Sequence, residues 1–334
     1  MNNNYKPPYT ITPSILRLVA QISETVGQLS SLTDNRTTPR LRRENRLRTI
    51  QASLAIENNT LSLEQVTAVI DGKRVSGSPR EIQEVRNAFT VYEKIDVWIA
   101  TSCADLLEAH GILMGGLVDD AGQFRSGNVG VFRGRQLIHM APQAARVPHL
   151  MNDLLLWLKT TDVHPVVASC VFHYELEFIH PFSDGNGRMG RLWQTLILNE
   201  WMPMLANLSV ESIIYEKQEA YYQSLATSDE KADSTSFIDF MLQILIEVLR
   251  DAMTTDQVTD QVSRLIKVLA GGEMGSLSLM SELNLTHRPS FRKNYLTPAL
   301  YGGFIERTQP DSPRSPTQRY RLTKNGRRWL GEYE

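Results

Sequence analysis

Twelve consecutive residues, His180-Pro181-Phe182-Ser183-Asp184-Gly185-Asn186-Gly187-Arg188-Met189-Gly190-Arg191, constrain the fold more than any other stretch. Ahead of them, Val167, Val171, Tyr174 and Phe178 recur at spacings of four, three and four, the stripe of a buried helix over 165–179. The His-Pro pair ends that helix, because proline disfavours helical backbone in the residue before it. A second helix starts near Arg188 and runs through Leu192, Leu196 and Asn199. The Asp-Gly-Asn-Gly loop between them contains glycines that permit positive φ and close approach of a ligand to the backbone. Successive amides in such a turn form an anion-binding nest, and the dipole of the following helix points at the same place. Arg188 and Arg191 are three apart and share a helix face. Asp184 suits Mg²⁺, a hard cation that takes one or two carboxylates plus phosphate oxygens. His180 is then a candidate base for an attacking hydroxyl. Gly185, Asn186, Gly187, Arg188 and Arg191 together favour an oligophosphate ligand.

The rest of the chain reads as mainly helical. Helices are expected over 39–57, over 62–72 behind the capping box Ser62-Leu63-Glu64-Gln65, and over 78–98 behind Ser78-Pro79-Arg80-Glu81. Further helices are expected at 106–117, 147–159 and 237–254, with a β-hairpin at Asn128–Met140 around Arg133-Gly134-Arg135. Beyond about Gln257 the order is helix, helix, helix, then two short strands at Phe304–Glu306 and Tyr320–Leu322 around an Asp311-Ser312-Pro313 turn, the order of a winged helix. With 334 residues, three regions follow: 1–98, 99–256 and 257–334. A net charge of −2 excludes a uniformly basic nucleic-acid binder but leaves room for a local basic patch. The polar N-terminus lacks a secretory pattern and no apolar run is long enough to span a bilayer, so a cytoplasmic setting is expected. Cys103 and Cys170 lie outside any C-x-x-C pattern and read as reduced core residues. There is no P-loop, and His173 and His180 lack the spacing of a zinc pair, so His173 reads as structural. Tyr215, Tyr221 and Tyr222 read first as core packing, with lining of a base pocket or self-modification as alternatives.

The twelve residues match, at every fixed position, the signature H-P-F-x-D/E-G-N-G-R-x-x-R, and the chain is identified by it as resembling Fic proteins. Gly122-Gln123-Phe124-Arg125 resembles the segment before the family's flap, the Asn128–Met140 hairpin resembles the flap, and Val147-Pro148-His149-Leu150-Met151 is also similar. The likeness covers roughly residues 100–245. It implies a Fic-type helical bundle with a hairpin flap, and transfer of AMP from ATP to a Ser, Thr or Tyr hydroxyl of another protein. His180 would be the base and Asp184 the Mg²⁺ ligand. Gly185, Asn186 and Gly187 would form the anion hole, Arg188 would grip the β-phosphate and Arg191 the γ-phosphate. The target would add to the flap as an extra strand.

Upstream, Ser53-Leu54-Ala55-Ile56-Glu57-Asn58 matches the family's inhibitory pattern [S/T]-x-x-x-E-[G/N]. The resemblance implies that Glu57 occupies Arg191 as a strong, bidentate pair, with Ser53 near the anion site. The C-terminal region resembles the winged helix appended to many bacterial Fic proteins. Its basic residues, His287, Arg288, Arg292 and Lys293 and then Arg319, Arg321, Lys324, Arg327 and Arg328 near the wing, leave DNA contact or protein docking open. Two other activities stand beside AMP transfer: removal of AMP or transfer of another phosphate-bearing moiety, and a DNA-binding regulator that senses nucleotide. Homo-oligomerisation is also open.

Overall fold

The computed structural model describes residues 5–32, 39–133, 136–256, 260–310, 315 and 317–331. It divides into two compact units, Met1–Leu249 and Arg250–Glu334. The chain runs α1 (Pro13–Leu32), α2 (Pro39–Ile56), α3 (Leu63–Ile70), α4 (Pro79–Glu93), α5 (Cys103–Leu113), β1 (Gly130–Arg133), β2 (Gln136–Met140), α6 (Val147–Thr160), α7 (Pro165–Ile179), α8 (Asn186–Trp201), α9 (Val210–Glu216), α10 (Gln218–Lys231) and α11 (Thr235–Asp256).

The centre of the first unit is the antiparallel pair α7 and α8, joined by the twelve-residue stretch. Both are buried nearly all round, with Val166, Val171, Phe172, Leu176, Met189, Leu192 and Trp193 among the core residues, as expected of helices surrounded by others. Polar groups inside this layer are partnered. His173, fully buried, meets Gln194 Oε1 through Nδ1 at 2.7 Å and the Tyr221 hydroxyl through Nε2 at 3.0 Å. Burial pushes its pKa down to about 3, so it is a neutral structural residue. α2 packs on α9, α4 and α3, which sets the end of α2 beside the α7–α8 loop.

Both expected capping boxes form. Ser62 accepts from the Gln65 amide and Ser78 from the Glu81 amide, and each N3 side chain returns to the cap backbone. α4 stops at Glu93 rather than near 98, and the following helix is displaced to Cys103–Leu113, because Ser102 caps it by accepting from the Asp105 amide. The hairpin pairs Gly130 with Met140 and Arg133 with Gln136, with a register shift between Val131 and Phe132; residues 134–135 lie outside the described residues. Both cysteines are free; Cys170 is buried as expected, but Cys103 is only partly so.

The second unit contains α12 (Asp260–Leu269), β3 (Met274–Gly275), α13 (Ser276–Glu282), α14 (Arg288–Phe291), α15 (Thr297–Tyr301), β4 (Ile305–Arg307), β5 (Arg319–Leu322) and α16 (Lys324–Gly331). A π-type turn over Arg292–Leu296 joins α14 to α15. The strands form an antiparallel sheet in the order β3-β5-β4, and the core includes Leu265, Ile266, Leu279, Phe291, Phe304 and Trp329. The turn expected at Asp311–Pro313 lies outside the described residues. Lys324, Arg327 and Arg328 fall on a helix, α16, rather than on the wing.

Candidate active site

The site begins with a backbone conformation. His180, the C-cap of α7, has φ 52° and ψ 60°, left-handed values that cost a non-glycine residue about 1–2 kcal/mol. This turns the chain sharply out of the helix and lets Asp-Gly-Asn-Gly loop back onto the start of α8. Asn186 closes the loop on itself: its Oδ1 accepts from the Phe182 amide at 2.9 Å and its Nδ2 donates to the Phe182 carbonyl at 3.0 Å. Gly185 holds φ 87°, and a Cβ there would lie 2.7 Å from Met114 Sδ. No side chain caps α8, so its first-turn amides stand as donors for an anionic ligand.

His180 Nδ1 lies 3.3 Å from the Glu177 carbonyl oxygen. A carbonyl only accepts, so Nδ1 is the donor in this contact; in a neutral ring that leaves the lone pair on Nε2, as a general base needs. Behind the loop, His110 is fully buried and stacks on Phe182 with ring centroids 3.7 Å apart. Its Nδ1 accepts from the Gly122 amide and its Nε2–H donates to the Asp184 carbonyl. Burial lowers its pKa, which keeps it neutral and able to make both contacts.

Glu57, just past the end of α2, reaches the same place. Its Oε1 accepts from Arg191 Nη2 at 2.8 Å. Only this one oxygen is engaged, so the pair is monodentate rather than the bidentate fork expected. The other donors of Arg191 go to Ser53: Nε to its hydroxyl and Nη2 to its carbonyl, both at 3.1 Å. The Arg191 side chain is 1% exposed. Burial alone would lower its pKa, but the charge and hydrogen bond of Glu57, with Glu177 nearby, outweigh that and raise it, so the guanidinium stays charged. A Cβ on Gly187 would lie 2.4 Å from Glu57 Oε1, 3.2 Å from Arg191 Nη1 and 3.3 Å from Glu177 Oε1. Any larger residue there would push the Glu57 carboxylate from its present place.

The two arginines of the stretch do not point to one place. Arg188 donates to Asp184 Oδ1 at 3.1 Å and approaches Glu84 Oε1 at 3.5 Å. Among the described residues its buried Nε has no partner. Arg80, on α4, donates to the other Asp184 oxygen at 3.1 Å and lies 3.5 Å from Glu84. Glu84 in turn accepts from Asn59 Nδ2 at 2.9 Å. Arg80, Glu84, Asp184 and Arg188 thus form a closed ring of alternating charge. Nothing in the sequence pattern singles out Arg80 or Glu84; only the fold brings α4 here.

These groups open on a cleft of about 920 Å³, lined by Glu57, His180, Asp184, Gly185, Asn186, Gly187 and Arg191 on one side and by Tyr174, Phe178, Tyr222 and Leu225 on the other. Arg188 and Ser53 are not among its lining residues. Tyr221 is 1% exposed and Tyr222 lines the wall, whereas Tyr215 is 45% exposed, against the expectation that all three are core. Glu177, Gln218, Glu219 and Asp229 line the cleft too; the anion-binding loop, the imidazole and the aromatic side chains suit a nucleotide whose phosphates lie at the α8 end. Among the described residues no cluster of three or more His, Cys, Asp or Glu is placed to hold a metal by protein ligands alone. A divalent ion held by Asp184 together with phosphate oxygens fits this donor set.

Comparison with known proteins decides the family. A Fic family protein from Desulfovibrio desulfuricans G20 is 65% identical, covers 96% of this chain and 99% of its own, and superposes with a TM-score of 0.74. The chain belongs to the Fic family. The Fic/DOC family profile matches residues 100–198, and that of the "Filamentation induced by cAMP protein Fic-like, C-terminal domain" matches 260–323. Fic-1 from C. elegans shares the fold at TM-score 0.58 and 24% identity, covering 72% of this chain and 73% of its own. The curated protein adenylyltransferase Fic of Aedes aegypti is 30% identical over 232 residues, 64% of this chain but 43% of the mosquito protein. The Drosophila melanogaster protein of the same name is 30% identical over 217 residues and 41% of its length. The Fic chain therefore spans less than half of these curated relatives. Among the described residues no helix is long and apolar enough to cross a membrane.

Proposed function

We propose that this Fic protein transfers AMP from ATP to a hydroxyl of a target protein, and that Glu57 holds the reaction off. The observation that carries this reading is the 2.8 Å contact between Glu57 and Arg191 in the cleft that also presents His180 and Asp184. A carboxylate on Arg191 takes the place a terminal phosphate would claim and sets a negative charge against it. Curated relatives named adenylyltransferases support the chemistry.

The target hydroxyl gives its proton to His180 Nε2 as its oxygen bonds to the α-phosphorus. The bond from that phosphorus to the bridging oxygen breaks, and pyrophosphate leaves. The amides of the α8 first turn, Gly185 to Gly187, hold phosphate oxygens, and Arg188 and Arg191 neutralise the leaving group. Asp184, with its side chain 43% exposed at the loop, would hold Mg²⁺, which would supply screening of the phosphate charge. The hairpin aligns the target as an added strand. We place this reaction in the cytoplasm, where ATP and Mg²⁺ are abundant.

We read the working regions as 1–98 for the inhibitory part, 99–256 for the catalytic core and 257–334 as a winged helix. In the last, Arg319 is paired with Glu273 and Arg321 with Glu306. That neutralisation favours protein docking over DNA binding. Labelled transfer from ATP (label on the α-phosphate) by wild type, Glu57→Gly and Glu57→Gly/His180→Ala tests the reading. Label gained in the first variant and lost in the second supports it. Absence of label in every variant, with ATP bound, overturns it.

A further inference from the structure

Arg125 is a buried guanidinium, 3% exposed, whose side-chain donors are bonded, among the described residues, to backbone carbonyls only. Nε donates to the His180 carbonyl at 2.7 Å. Nη1 donates to Gly127 at 2.8 Å, and Nη2 to Pro142 at 2.6 Å and to Ile179 at 3.3 Å. The Arg125 amide adds a bond to the Pro181 carbonyl at 2.9 Å. Two kinds of backbone therefore meet on one residue. Gly127 and Pro142 flank the hairpin, three residues before β1 begins and two after β2 ends. Ile179, His180 and Pro181 are the left-handed exit from α7 that presents the imidazole. Asn128 Oδ1 closes the same neck by accepting from the Ala144 amide at 2.9 Å.

Burying a guanidinium without a carboxylate is costly unless its donors are met, and here carbonyl dipoles meet them. Core stability alone would be served as well by an apolar side chain. What the fork adds is geometry: planar donors at fixed angles tie the hairpin neck to the His180 carbonyl.

We propose that Arg125 is a positioning residue that registers the hairpin against His180, so that a target strand docked on the hairpin is set at a fixed distance from the base. Arg125 touches neither target nor nucleotide. The inference rests on the transfer reaction proposed above for its catalytic consequence, but the mechanical link can be read without activity.

The test uses the full chain in the Glu57→Gly background, with Arg125→Lys and Arg125→Ala added separately. Arg125→Lys retains charge and stem and loses the planar fork; it serves if the alanine variant does not fold. A misplaced base slows chemistry, so the rate constant of transfer at saturating ATP should fall about a hundredfold. ATP affinity by calorimetry should change less than about threefold, since the α8 loop is untouched. Free guanidinium ion should restore part of the rate to Arg125→Ala, which a general packing defect would not allow. Independently of activity, nitrogen-15 spectra of the His180 ring should lose the Nδ1–H tautomer, and the hairpin should be cut faster by protease. A rate within threefold of the parent, or joint collapse of rate and ATP affinity without guanidinium rescue, overturns the proposal. If the Glu57→Gly parent itself transfers nothing, the transferase reading fails, while the ring spectra and proteolysis still decide whether Arg125 is the link.

Discussion

Replacing Glu57 by Gly should release the site, and the size of the effect follows from the contact. The pair joins an Arg191 side chain that is 1% exposed to a Glu57 side chain that is 34% exposed. Hydrogen bonds to charged groups contribute about 1.5–3 kcal/mol, and partial exposure of Glu57 draws this towards the lower end, to about 2 kcal/mol. A gap of about 2 kcal/mol leaves Arg191 open to phosphate in roughly 3% of molecules. Removing the carboxylate should then raise transfer at limiting ATP by about thirtyfold. Arg191 itself should hold its place, because Nε and Nη2 keep their bonds to Ser53. Glu57→Gln, which keeps the shape and removes the charge, should fall between wild type and Glu57→Gly. Initial rates of label incorporation from ATP labelled on the α-phosphate, with folding checked by circular dichroism and ATP binding by calorimetry, measure this. Equal rates for wild type and Glu57→Gly, with both folded and both binding ATP, would refute the reasoning.

Other outcomes follow from the neighbouring contacts. Ser53→Ala in the Glu57→Gly background removes one hydrogen bond from Arg191 and should weaken ATP binding by about three- to tenfold, read by calorimetry. Arg80→Ala frees one oxygen of Asp184 and should raise the apparent Mg²⁺ affinity of the ATP complex, read by metal titration of nucleotide binding. Burial pushes the carboxyls of Glu175, Glu177 and Glu211 up to about 7 from 4.5, helped by the charge of Asp229 on Glu175 and of Glu57 on Glu177 and opposed by the hydrogen bonds each carboxyl accepts. The folded form thus keeps protons that the unfolded chain releases between these values. Stability that is full below pH 4.5 is lost as pH rises through 7, so the melting temperature should be higher at pH 6 than at pH 8. Glu211→Gln, which can keep its contact with the Tyr92 hydroxyl (2.9 Å in the wild type), should flatten that profile.

The α7–α8 loop was legible in the sequence because its chemistry is local: a proline ends one helix, glycines permit the turn, and the next helix starts within a few residues. The capping boxes at Ser62 and Ser78 were legible for the same reason. The partner of Arg191 was not, since Glu57 is 134 positions away; only the resemblance to Fic proteins named it. The helix at Pro13–Leu32 had a signal that went unread, Ile15, Leu18, Ile22, Val26 and Leu29 at spacings of three and four. The helix at Lys324–Gly331 was hidden by Gly326, which reads as a loop residue. In the fold a Cβ at that position would lie 2.1 Å from the Phe304 carbonyl, so the glycine marks close packing of the helix on a strand. Arg80 and Glu84 carried no functional signal beyond their types, and Arg125 only its place in a segment resembling the family's pre-flap stretch, because their partners are backbone carbonyls or residues distant in sequence.

Taken as electrostatics, the resting site has its phosphate-binding groups matched by carboxylates. Glu57 sits on Arg191, while Glu84 and Asp184 share Arg188 and Arg80. These matches are not equally hard to undo. Arg80 is 55% exposed, and its pair with Asp184 resembles a surface ion pair worth about 1 kcal/mol or less. In the proposed reading a divalent cation at Asp184 displaces it. The Glu57 contact lies against a guanidinium that is almost wholly buried, where charge-assisted bonds are stronger. Its partner residues, Ser53 and Glu57, come from the same end of α2. Any event that lifts that end therefore removes the Glu57 carboxylate, the competitor for Arg191, together with the Ser53 contacts that hold the guanidinium in place. A ligand that acts only on the Arg80 side loosens Asp184 without freeing Arg191. In the proposed reading the brake is set by the seating of α2, and relief should track displacement of that helix end more closely than metal concentration.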